Sequence, residues 1–190
     1  LTAPTNKGSK TALHEQLQVQ VYSVGDSYAI MDYVNTYFPP SDSGIVLNQY
    51  RYGGLGFRGN EYWSPENSYF LTSSGKTREL ADASNEKWVM IGGETDMGEK
   101  AGLLIMSHVL NRAHPEPIRV WENEAVEGKA NVFFVYTPIR QKPWKMEYLK
   151  KYVQQYRIIL YDVILTAGQA ESFWTDFCYP PDITISKLER

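Results

Sequence analysis

Gln16-Leu17-Gln18-Val19-Gln20-Val21, followed by Gly25-Asp26 and then by Tyr28-Ala29-Ile30-Met31-Asp32-Tyr33-Val34-Asn35-Thr36-Tyr37-Phe38 before Pro39-Pro40, is the stretch that decides the fold. In its first part Leu17, Val19 and Val21 alternate with glutamines, the period of two that sets a half-buried strand. Gly25-Asp26 is a turn signal. The second part is rich in aromatic and β-branched residues and stops at two prolines, which have no N–H for a ladder. The two runs read as a hairpin.

The same pattern continues outward. Short strands are expected at residues 45–51, 68–72, 87–92, 101–107, 119–122 and 132–135, separated by Gly, Pro, Asn or Asp. Residues 152–166 form a longer run that is substantially apolar on both faces, as in a central strand. Residues 167–177 lack proline and place Ala170, Phe173, Trp174 and Phe177 on one helical face. The expected fold is therefore all-β: a large antiparallel β-sandwich, supersandwich-like, with one short C-terminal helix. Residues 1–190 are read as a single domain, since one sandwich can reach roughly 200 residues.

Composition narrows the partners. The formal charge is -3, from 19 Lys+Arg against 22 Asp+Glu, with no long block of like charge, so nucleic acid is not an expected partner. No apolar run approaches the roughly 20 residues of a membrane span. The single cysteine, Cys178, rules out an internal disulfide and reads as packing in Phe177-Cys178-Tyr179. Residues 1–10 are polar and open on Leu1, from which a processed product or the C-terminal part of a longer protein is expected.

The densest unusual segment runs from Tyr50 to Trp63 and holds Gly53, Gly54, Gly56 and Gly59 beside Arg51, Arg58, Glu61 and several rings. Glycines let the backbone approach a ligand closely. Arg58 offers a forked donor to carboxylates or vicinal hydroxyls, Glu61 is a candidate acid or base, and Trp63 is a candidate stacking platform. The alternative is a structural clamp between Arg58 and Glu61. Thr72-Ser73-Ser74-Gly75-Lys76-Thr77-Arg78 is a polar turn whose Lys76 and Arg78 can hold an anionic or polyhydroxylated ligand, or simply face solvent. No phosphate-loop spacing, GxSxG elbow or HExxH motif is present.

A third cluster, residues 107–121, carries His108, Asn111, His114, Glu116 and Arg119, with Pro115 and Pro117 expected to hold an extended loop. His108 is the side chain best suited to proton transfer, or else a hydrogen-bonded histidine closing a strand. His108, His114 and Glu116 match no established metal spacing, so neither a metal nor a cofactor is expected. Glu61, Asp96, Glu116 and Glu122 remain open as partners in a carboxylate pair.

Taken in order, Tyr52-Gly53-Gly54-Leu55-Gly56-Phe57-Arg58-Gly59, Gly75-Lys76-Thr77-Arg78, Ala101-Gly102 with His108, Asn111, and Pro117-Ile118-Arg119-Val120-Trp121 resemble the PmoA-like family of largely uncharacterised bacterial proteins. Two positions depart from its usual pattern: Val109 follows His108 in place of proline, and Ile118 precedes Arg119 in place of tryptophan. The resemblance implies a sandwich similar to those of carbohydrate-active enzymes, and a periplasmic or extracellular protein that hydrolyses or modifies a glycoside. It also implies an N-terminal segment or second chain completing the sandwich. On that expectation His108 and Glu61 are catalytic, while Arg58, Trp63, Lys76, Arg78, Asn111 and Arg119 bind substrate. A non-catalytic carbohydrate-binding domain and an aldose-epimerase-like enzyme are the alternatives.

Overall fold

The structure, a computed structural model, describes residues 1–6, 8–25, 28–59, 62–121, 132–163 and 165–184. After a terminal hairpin of β1 (Thr2–Thr5) and β2 (Gly8–Thr11), the chain forms β3 (His14–Ser23) and β4 (Tyr28–Phe38), the antiparallel pair that the alternation predicts. β5 (Ile45–Leu47) is shorter than expected and pairs with β13 (Trp144–Met146).

A six-stranded sheet takes the order β3, β4, β14 (Tyr152–Tyr161), β10 (Lys100–Ser107), β9 (Trp88–Glu94), β7 (Ser68–Thr72). A four-stranded sheet takes the order β6 (Gly56–Arg58), β12 (Phe133–Tyr136), β11 (Glu116–Val120), β8 (Asn85–Glu86). All described pairings are antiparallel.

Side-chain alternation along the central strands builds two cores, one on each face of the large sheet. Val89, Ile91, Leu103, Ile105 and Tyr156 meet Ile118, Val120, Phe134 and Tyr136 of the small sheet, giving the sandwich. Met90, Leu104, Met106 and Ile159 point the other way, against Ala170, Trp174 and Cys178 of the helix at Ala167–Cys178. That helix starts at a capping box in which Thr166 and Gln169 satisfy each other's backbone N–H groups. Cys178 is buried there, in keeping with a packing role.

Of the elements that depart from expectation, two fall in segments read as a turn and a loop. Residues 78–81 form a single helical turn, α1 (Arg78–Ala81), so the long C-terminal helix is α2. β11 begins at Glu116, within the segment read as a loop. Its ladder to β12 starts at Ile118, so the N–H that Pro117 lacks is not needed there.

The large sheet extends beyond the small one. β3 lies at its edge, with β4 its one strand partner among the described residues, and Leu17, Val19 and Val21 are exposed. The strand read as half-buried is thus exposed on both faces, because no described layer covers this edge.

Candidate functional site

Where the small sheet stops short, the faces of β3, β4 and β14 form the floor of a cavity of about 520 Å³. The register places its polar residues side by side: Glu15 opposite Tyr37, Asn35 opposite Gln154, and Tyr33 opposite Tyr156. The opposite wall is the backbone of Gly53, Gly54, Leu55 and Gly56, continued by Pro138, Ile139 and Trp144. Gly54 is required by close approach, because a Cβ there would lie 2.0 Å from the Tyr136 carbonyl oxygen and 2.9 Å from Pro138 Cδ. One part of the glycine-rich segment thus does line a pocket, through main chain.

Asn35 is the centre of the floor. Its amide donates to Glu15 and, over 2.8 Å, to the Tyr37 hydroxyl. Its Oδ1 is buried with no hydrogen-bond partner among the described residues. A buried carbonyl left unpaired costs on the order of 1–3 kcal/mol. Burial, reinforced by the Glu15 charge, pushes the Tyr37 phenol up to about 12.

Behind the floor runs a second polar chain. Tyr156 donates over 3.1 Å to Glu116 Oε2, and Oε1 of the same carboxyl accepts from Ser107 Oγ at 2.6 Å and from Asn111 Nδ2 at 2.9 Å. Glu116 has no cation in ion-pair contact among the described residues. Burial therefore outweighs those three hydrogen bonds and pushes its carboxyl up to about 7. Glu86, also buried, behaves oppositely. Burial raises it, but donors from Ser74 and Ser73 outweigh burial and hold it below the ordinary carboxylate value.

Of the residues expected to form one site, Arg58 and Arg119 come together beside Trp121 and Tyr52, while His108, Asn111, Lys76, Arg78 and Trp63 each sit among other partners. His108 follows β10, with its ring 5.0 Å from that of Phe177 and its Nδ1 accepting from the Leu110 N–H at 3.2 Å. Burial, and after it the Arg157 charge, lowers its pKa. Asn111 is a structural tie between loop and sheet: besides Glu116 it bonds the Gln155 carbonyl at 2.7 Å and the Gln155 N–H at 2.7 Å. Arg78 is buried in α1 and donates to Ser68 Oγ at 2.9 Å. Lys76 is half-buried, and its backbone closes the turn with Thr72.

Trp63, read as a candidate stacking platform, is packed into the core. Its indole N–H donates to the Glu94 carbonyl at 3.0 Å, and the ring covers Gly93, which has no Cβ to prevent it. Arg119 pairs with Asp82 at 2.9 Å, and Asp82 also takes two bonds from Arg140. Arg58 stacks at 4.6 Å over the Trp121 ring. Glu61 and Glu122 lie outside the described residues, while Asp96 sits exposed in the turn between β9 and β10. No group of three or more His, Cys, Asp or Glu able to hold a metal ion occurs among the described residues.

A family model matches residues 3–175, and its description reads family of unknown function, DUF6807. The chain belongs to the DUF6807 family. No curated protein and no solved structure matches it. For this DUF6807 member the polar cavity residues form the candidate site. The signal that could have found them is the presence of Asn35 and Gln154 on strand faces otherwise filled by tyrosine and aliphatic residues. None of the described helices is long and apolar enough to cross a membrane.

Proposed function

We propose that the chain binds a carbohydrate in the cavity over β3, β4 and β14, and that it does so outside the bacterial cytoplasm, the setting implied by the PmoA-like resemblance. The observation that carries the reading is the polar floor of the cavity, where Glu15, Asn35 and Gln154 lie side by side among aromatic rings. Hydroxyl groups both donate and accept, so a sugar can donate a hydrogen bond to the Glu15 carboxylate and accept one from an amide. The Tyr33, Tyr37, Trp144 and Tyr156 rings supply the apolar surface that the C–H faces of a pyranose require. The test is ligand-observed NMR against a panel of neutral and acidic mono- and disaccharides, with Asn35→Leu as the control. Binding by the parent chain and its loss in the variant support the reading; no binding to any sugar overturns it.

One observation favours a second, enzymatic reading. Tyr156 lines the cavity and its hydroxyl meets a carboxyl poised near neutrality, so the pair can pass a proton to or from a bound anomeric oxygen. Accelerated interconversion of sugar anomers, abolished by Tyr156→Phe, would select this proton-shuttling function over simple binding. Glycoside cleavage, the activity implied by the resemblance, would appear in the same spectra as a new reducing-end signal.

A further inference from the structure

We propose that the outer face of the four-stranded sheet is a second binding surface, which takes an acidic, uronate-bearing polysaccharide. The registers assemble it. Phe133 on β12 is the partner of Arg58 on β6, and the Trp121 N–H donates to the Phe133 carbonyl at 3.2 Å, which sets the three side chains abreast. Their neighbours in sequence, Phe57, Phe134 and Val120, face the core. This surface is thus the side of the sheet that the sandwich does not use.

The rings form a continuous row. Trp121 and Phe133 lie 4.6 Å apart, Phe133 and Tyr52 5.9 Å, and Tyr52 and the exposed Tyr50 5.6 Å. The Trp121 indole N–H donates to the Tyr52 hydroxyl at 3.3 Å and fixes the two rings to each other. Guanidinium groups sit on this row: Arg58 at 4.6 Å over Trp121 and Arg51 at 5.4 Å over Tyr52. Both side chains are exposed, and neither has an ion-pair partner among the described residues. Arg119 places a third guanidinium 6.0 Å from the Tyr52 ring, where it is held by Asp82.

A guanidinium stacked by its face keeps its edge donors free, and that edge is the fork that grips a carboxylate by two hydrogen bonds. The aromatic row at the same time offers stacking surface to pyranose rings. A uronic acid carries both complements in one unit, a carboxylate and an apolar ring face. The formal charge of the whole chain is -3, so the chain as a whole has no general attraction for polyanions. That suits a ligand with spaced carboxylates better than a polyphosphate, whose binding draws on many simultaneous charge contacts.

The test is affinity electrophoresis of the full chain through polygalacturonate, through its methyl-esterified form and in the presence of single-stranded oligothymidine. Retardation by polygalacturonate is expected, weakening with salt and absent with the ester. Arg51→Ala with Arg58→Ala is expected to weaken it by about ten-fold or more, and Arg58→Lys is expected not to restore it, because an ammonium lacks the fork. Circular dichroism establishes that the variants are folded, and Arg58→Gln serves if the double variant is not. No retardation, equal retardation by the ester, equal competition by oligothymidine, or unchanged binding in folded Arg51 and Arg58 variants would each overturn the proposal. Asn35→Leu is expected to leave polymer binding intact, so the outcome here is separate from that for the cavity.

Discussion

The Tyr156 hydroxyl donates over 3.1 Å to Oε2 of Glu116, joining a residue that lines the cavity to a carboxyl buried behind it. Glu116 titrates near 7 in the folded chain against 4.5 for a free side chain. Between those values the folded chain binds the extra proton, so folding stability falls as pH rises through the window. The full effect is on the order of 3 kcal/mol. Urea denaturation from pH 5 to pH 8 is expected to show that decline in the parent chain, and Glu116→Gln is expected to flatten it.

His108 gives the opposite sign. Burial and the Arg157 charge lower its pKa below the ordinary 6.5, so between the two values the unfolded chain holds the extra proton. Stability contributed there rises with pH and is lost on acidification through that window. An imidazole titration by NMR is expected to place the His108 midpoint below that of a free histidine, and His108→Gln is expected to remove the matching part of the acid sensitivity.

Gly54 and Gly75 separate two reasons for glycine. At Gly54 a methyl group meets the Tyr136 carbonyl and Pro138, the latter part of the cavity wall, whereas around Gly75 nothing lies within 4 Å and only its φ of +78° opposes a side chain. Gly54→Ala is expected to cost about 3 kcal/mol or more, through displaced backbone. Gly75→Ala is expected to cost roughly 1 kcal/mol. Thermal melts of the two variants make the comparison.

The strands were legible where alternation is strong. β7 occupies the expected residues 68–72, the β3 and β4 hairpin forms, and α2 extends the expected helix by one residue, with Ala170 and Trp174 buried and Phe173 and Phe177 partly buried. Pro115 and Pro117 hid the start of β11, because a local rule against proline in strands cannot see that the ladder begins at Ile118. The burial of Trp63 is hidden for a related reason: its sequence neighbours are polar, and only tertiary folding lays it over Gly93. The cavity was the least legible part. Glu15, Asn35 and Gln154 are far apart in the chain and meet through the pairing of β3, β4 and β14, which no spacing encodes. The Tyr50 to Trp63 segment divides three ways, into cavity wall, aromatic face and core.

The two cores set the order in which the molecule can open. β10 is flanked by β14 and β9, with Leu103 and Ile105 under the small sheet and Leu104 and Met106 under α2. Water reaches its amides only if both coverings yield, while β3 is held along one side alone. In heavy water, deuterium should therefore enter β3 first and β10 last, tracing a gradient from the overhanging edge to the twice-covered centre.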